Sequence, residues 1–257
     1  MAEPFIHLAG VKKVYRTRRS EFLAVSEVTF DVAAGELVAL VGPSGCGKTT
    51  LLKILAGLHP HDAGEVRIGS AAQPFDPTRD IGMVFQQPLL LKWRTILHNV
   101  LLPAEIVGLP MKAARSRARD LLNLVGLSGY EDRYPQQLSG GMQQRTAIAR
   151  AFIHDPKLIL MDEPFGALDA LTREQMNLEM LRIWRESGKT ILFVTHSIQE
   201  AVFLASHCAV LTAGPARMAE YFPILLPFPR ALPIKTTDEF GVYARRIYAS
   251  LGLGASG

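Results

Sequence analysis

Residues 41–55 read VGPSGCGKTTLLKIL, three glycines, a lysine and two threonines set between an apolar run and an amphipathic stretch. They fit the pattern G-x-x-x-x-G-K-[ST] over Gly42–Thr49, with "ELVAL" before it as a strand and "KTTLLKILAGL" after it as a helix, the context that pattern requires. Glycines let successive backbone N–H groups curl around an anion, and a helix N-terminus adds partial positive charge. Gly42, Pro43, Ser44, Gly45, Cys46, Gly47, Lys48, Thr49 and Thr50 are therefore read as a cradle for a triphosphate tail. Lys48 is placed to reach the β- and γ-phosphates, and Thr49 to offer its hydroxyl to Mg²⁺, a hard cation that prefers oxygen ligands. Cys46 fills a variable position of the pattern.

Working outward, 257 residues with 48% hydrophobic content suffice for one or two packed units with a sizeable core. The most apolar runs, "KLILMD", "TILFVTH" and "YFPILLPFP", fall well short of the ~20 residues that a membrane-spanning helix needs. "MAEPFIHLAG" has no basic stretch leading into a long apolar segment, so a cytoplasmic protein is expected. Two cysteines make neither a disulfide framework nor a metal cluster. A formal net charge of +4 permits a phosphate-rich or membrane-proximal partner, while segments such as "MKAARSRARD" read as solvated helix faces.

The first third alternates β-rich runs with turns: "FIHLAGVKKVY", "LAVSEVTFDV", "AAGELVALVG" and "GEVRIGS". Apolar residues recur at helical spacing from Met111 to Leu127 and again through "SGGMQQRTAIARAFI". Next come "KLILMDEP", a helix over about 171–186, "KTILFVTH", a helix from Ile198, and "HCAVLTAG". Strands alternating with helices predict crossover connections and a mainly parallel sheet. Beyond Gly214 the chain turns proline-rich and then helical, an appended tail not needed for hydrolysis, with the closing "GASG" read as disordered.

A phosphate loop alone does not separate kinases, GTPases and motor ATPases, and a second signal narrows the choice. "LILMDEP" is an apolar strand ending in Asp162 and Glu163. Asp162 can hold Mg²⁺ through water, and Glu163 can polarise an attacking water as general base. The third signal is "LSGGMQQR", Leu138 to Arg145, where Ser139, Gly140 and Gly141 open an amphipathic helix and form another anion-binding start.

At these residues the sequence resembles the ATP-binding cassette family, whose signature lies shortly before the Asp-Glu strand. Met142 stands where the signature usually has glutamine. The resemblance, which covers about residues 5–213, implies an α/β fold: a P-loop NTPase core with a mainly parallel sheet, an N-terminal antiparallel β subdomain and an inserted α-helical subdomain at about 88–155. On that reading 1–213 is the nucleotide-binding domain and 214–257 an extension. "GMVFQQ" resembles the Q-loop and puts Gln86 near Mg²⁺ and the water; "GALD" resembles the D-loop, with Asp169; "VTHS" resembles the H-loop, with His196 on the γ-phosphate and Ser197 where aspartate is frequent. Tyr15 sits where the family stacks an aromatic ring on adenine, though an ordinary strand tyrosine is the alternative.

"QQPLLLKWRTILHNVLLPAEIVG" and "DEPFGALDALTREQM" are similar to nitrate/sulfonate/taurine importer ATPases, with Lys92 in place of the proline of their "PW". Trp93 is either a core aromatic or a partner contact. The resemblance implies an ATPase with ATP and Mg²⁺ as cofactors, docked on integral membrane permease subunits at the cytoplasmic face of the membrane and served indirectly by an extracytoplasmic solute-binding protein. The cargo would be nitrate, a sulfonate or a taurine-like solute. Two anion-binding helix starts in one chain further imply a second copy, with the Lys48 loop of one capped by the Ser139 signature of the other. The alternative is a cassette ATPase acting on nucleic acid or ribosomes, but neither an inserted coiled coil nor a second cassette is present, so no nucleic-acid partner is expected. A non-catalytic regulatory module is disfavoured by the presence of Lys48, Gln86, Glu163 and His196 together.

Overall fold

Runs of consecutive buried, mostly apolar residues, rather than alternating ones, are what strands covered on both faces require. "LVALV" forms β3 (Leu37–Val41) and "TILFVT" forms β7 (Thr190–Thr195), and every residue of both is buried. The computed structural model describes residues 3–16, 20–69 and 74–253; the closing "GASG" lies outside the described residues. The chain divides into two compact units, Met1–Phe75 with Thr190–Gly257, and Asp76–Lys189.

In the first unit, β1 (Ile6–Arg16) is the centre of an antiparallel sheet, flanked by β2 (Glu21–Val32) and β4 (Ala63–Ile68). β3 pairs in parallel with β7 on one side and with β8 (His207–Leu211) on the other. Helix α1 (Lys48–Leu55) follows the glycine loop, and α7 (Ile198–Leu204) follows β7.

The segment after Gly214 is no loose appendage. β9 (Met218–Pro223) pairs antiparallel with β8, and α8 (Asp238–Ser250) buries Phe240, Ala244 and Ile247 at helical spacing. Between them Arg230, 3% exposed, donates to the carbonyls of Val202, Phe203 and Ala205 at the end of α7 and to those of Ile224 and Leu226. A cation here satisfies the orphan carbonyls at the negative end of α7. Burial pushes its pKa down to about 10, so it stays charged at neutral pH.

In the second unit, β5 (Ile81–Val84) pairs in parallel with β6 (Leu158–Asp162). Around them lie a single helical turn, α2 (Pro77–Asp80), and four longer helices: α3 (Ile96–Ile106), α4 (Met111–Leu124), α5 (Gly140–Phe152) and α6 (Ala170–Ser187). β5 approaches α5 at Gly82, where an added Cβ would lie 2.1 Å from the Ala151 carbonyl oxygen.

Candidate functional site

In the first unit the parallel register sets Val41 beside Thr195, so the glycine loop and His196 leave neighbouring strand ends together. Ligands of open parallel sheets bind at such carboxyl ends. The loop's shape is forced by close approach: at Gly47, φ is +116° and a Cβ would stand 2.5 Å from the Ala24 carbonyl oxygen. Lys48 is 5% exposed, and its ammonium donates to the carbonyls of Gly42 at 2.7 Å and Pro43 at 2.8 Å, with the Cys46 sulfur at 4.0 Å. The loop thus holds its own cation by neutral acceptors, which a phosphate oxygen outcompetes as a charge-assisted partner.

Ser197, the residue that stands in for aspartate, caps α7: its hydroxyl accepts from the Glu200 N–H at 3.2 Å. The Thr195 hydroxyl donates to the buried Glu200 carboxylate at 2.6 Å and accepts from the Ser197 N–H at 3.0 Å. These three bonds shape the turn that carries the exposed His196. Tyr15 is half-buried; its hydroxyl donates to Thr50 at 3.4 Å, its ring meets His59 edge to face at 6.0 Å, and the Lys13 ammonium lies 5.7 Å from the ring centre. Its ring is therefore tied to the first turn of the helix that the glycine loop opens.

In the second unit the β5–β6 register pairs Val84 with Met161, so Phe85–Gln86 and Asp162–Glu163 emerge side by side. The Gln86 amide donates to the Glu163 carboxylate at 3.1 Å. Asp162 is buried at the strand end. Glu163 has φ +46°, in the left-handed region, a conformation costing a non-glycine residue of order 1–3 kcal/mol and concentrated at functional sites. Ser139 caps α5, its hydroxyl accepting from the Met142 N–H at 3.3 Å, and Gly140 and Gly141 form the first turn. A Cβ at Gly141 would press to 3.1 Å of Leu168, whereas nothing crowds Gly140. Asp169 caps α6 by accepting from Thr172 at 3.0 Å, and its hydrogen bonds from Thr172 hold its carboxyl below the usual range. Trp93 is 75% exposed, which removes the core reading for that ring.

Sequence reasoning missed the residues that fix the stretch after Gln86. Buried Asn99 on α3 accepts from the Leu91 N–H and donates to the carbonyls of Leu91, Arg94 and Thr95. Gln144 and Arg150 on α5 donate to the backbone at Phe85, Pro88 and Leu89. Only the polar residues inside apolar helices hinted at them.

A glycine loop at a parallel strand end, with a carboxylate pair closing another apolar strand, defines a phosphate-loop nucleoside triphosphatase. The sequence model of the family described as ABC transporter matches residues 25–166. The chain is 43% identical over 242 residues, 94% of its length and 89% of the relative's, to an uncharacterized ABC transporter ATP-binding protein of Methanocaldococcus jannaschii. It is 48% identical over 197 residues, 77% of each chain, to the taurine import ATP-binding protein TauB of Yersinia pestis. Among solved structures it matches the dimeric, post-hydrolysis state of the ATP-binding cassette MJ0796 bound to ADP and phosphate, with TM-score 0.77 and 32% identity over 86% of this chain and 100% of that one. The chain belongs to the ABC transporter family and is an ATP-binding subunit with ATPase activity.

Proposed function

We propose that this ATPase powers uptake of a small solute of the nitrate, sulfonate or taurine kind, working at the cytoplasmic face of the membrane on separate permease subunits served by a solute-binding protein. One observation carries the docking half of this reading: Gln86, hydrogen-bonded to Glu163, leads directly into a segment whose Leu89 and Trp93 are 55% and 75% exposed. No helix among the described residues is long and apolar enough to cross a membrane. Identity to proteins named for taurine import, from Yersinia pestis and, at 44%, from Burkholderia pseudomallei, supports the choice of cargo.

Within this reading Glu163 is the general base, Gln86 orients the water, His196 and Lys48 contact the γ-phosphate, and Tyr15 stacks on adenine. Thr49, Gln86 and Asp162 would hold Mg²⁺; all three offer oxygen, the donor type that this cation takes. Mg²⁺ would neutralise charge that develops on the phosphates. The working form is two copies, with the signature of Ser139, Gly140 and Gly141, and Asp169 beside it, meeting the partner's nucleotide; that the similar cassette of solved structure is dimeric supports the two copies.

Trp93→Ala tests the docking surface. Central aromatic residues carry roughly 2 kcal/mol or more of an interface. Pull-down of an integral-membrane partner should weaken while ATP affinity holds. Unchanged pull-down contradicts the assignment, and copurification with ribosomes or nucleic acid in place of a membrane partner favours the alternative class of cassette.

A further inference from the structure

The Gln86 amide reaches Glu163 from a stretch, residues 85–95, that is neither helix nor strand. Holding a residue of such a stretch in one conformation costs about 1–2 kcal/mol of backbone entropy, so a hydrogen bond to a half-exposed carboxylate does not fix it unaided. The anchors come from α5. The Gln144 side chain, fully buried, donates to the Phe85 carbonyl at 3.2 Å. The Arg150 guanidinium donates to the Pro88 carbonyl at 2.7 Å and to that of Leu89 at 2.9 Å. These bonds bracket Gln86 and Gln87 on both sides. They also hold Leu89 at φ +46°, a conformation that its branched side chain does not choose by itself.

Arg150 is largely desolvated, and burial pushes its pKa down. Its guanidinium donates here to neutral carbonyls rather than to carboxylates. Where only space needs filling, an apolar side chain is the cheaper occupant, because a buried charge keeps a desolvation cost that its hydrogen bonds only partly offset. The planar fork of arginine presents separate N–H donors to two successive carbonyls in a preorganised geometry, whereas the ammonium of lysine is a single rotating head on a flexible stem and directs them less strictly. α5 is the helix that Ser139 opens, and the Gly82–Ala151 approach seats it directly on β5, the strand that ends just before Gln86.

We propose that Gln144 and Arg150 are positioning residues for ATP hydrolysis: they tie the peptide groups on either side of Gln86 to the signature helix, so that Gln86 stays on the Glu163 carboxylate and shifts only together with α5. This rests on the reading of Glu163 as the base. It adds to that reading a mechanical link from the anion-binding start of α5 to the group that orients the attacking water. It also gives Leu89 and Trp93 a rigid backbone through which a docked partner can move Gln86.

The test is a double-mutant cycle in the full-length protein, with Arg150→Lys and Gln144→Leu each made alone and in a Gln86→Ala background. Misplacement by an ångström can cost on the order of 10²-fold in rate, so each single variant should lose about tenfold or more in kcat while the dissociation constant for a fluorescent ATP analogue stays within about threefold. With Gln86 already removed, the same substitutions should lose less than about twofold further, because coupled residues are non-additive. Equal losses in both backgrounds would show a general structural role and overturn the proposal. So would wild-type kcat in a folded Arg150→Lys or Gln144→Leu protein. If either variant fails to fold, the other carries the cycle. Failure of the base reading is distinguishable, since it shows as retained hydrolysis in Glu163→Gln whatever the cycle gives.

Discussion

Two helices of this chain follow the motifs read from the sequence as anion-binding starts, and they open differently. α1 starts from Gly47 in a left-handed conformation with no side chain capping it, whereas α5 starts from Ser139, whose hydroxyl accepts from its own third residue. An uncapped helix start leaves its orphan N–H groups to a ligand. A capped one has already satisfied one of them and forms a stable end without any ligand. The phosphate loop is thus a site whose geometry serves the nucleotide first. The signature is a sound helix terminus that can also meet a phosphate, which suits a surface presented to a second copy.

Breaking the first unit as a whole should have the largest effect. Truncation after Ala213 removes the buried side chains of Phe222, Ile224, Leu226, Phe240 and Ile247. At roughly 1.5–3 kcal/mol each, their loss approaches the entire 5–15 kcal/mol stability of a domain. It also removes Ala216, which exchanges backbone hydrogen bonds with Ala24 and Ser26 and packs beside Gly47. The sequence suggested a tail not needed for hydrolysis, with an apolar helix that packs on something. The burial of these side chains predicts a truncated protein that melts far lower or is insoluble and so loses hydrolysis with its fold; thermal denaturation together with an ATPase assay of the truncated protein checks this.

Gly47→Ala comes next. Its Cβ would collide with the Ala24 backbone at a φ that alanine avoids, so the loop must distort. Nucleotide affinity, measured by titration of a fluorescent analogue, should fall by more than about a hundredfold, roughly 2.7 kcal/mol. Retained affinity would mean that the loop is softer than its contacts imply.

Ser139→Ala probes the other helix start and should give the smallest change in the isolated chain. Loss of a serine cap costs typically about 1 kcal/mol, visible as a modest drop in melting temperature with ATP affinity unchanged. A loss of ATP affinity in the monomer as large as that of Gly47→Ala would erase the contrast between the two helices.

The phosphate loop, the Asp162–Glu163 strand end and the signature were legible because each is a contiguous run whose meaning is local. α3 was not. "ILHNVLLPAEI" is apolar almost all round with Pro103 inside it, so no helical period shows, and its Thr95 cap precedes no obvious amphipathic face. Short β5 and β9 escaped for want of length, although the registers they set carry Gln86 and the tail. Gln144, Arg150 and Asn99 act on backbone carbonyls, in the first two cases some sixty residues away in the chain, and a carbonyl has no sequence identity to read. Trp93 needed its exposure, which spacing alone does not give.

Hydrolysis by Glu163→Gln is the most direct test of the central claim, that the carboxylate held by Gln86 is the base of this ATPase. Removing a general base costs on the order of 10²–10⁴ in rate. The purified variant should bind ATP with near-native affinity, lose hydrolysis by that factor and accumulate as an ATP-bound dimer; near-normal turnover in the same protein would show that Glu163 is not the base.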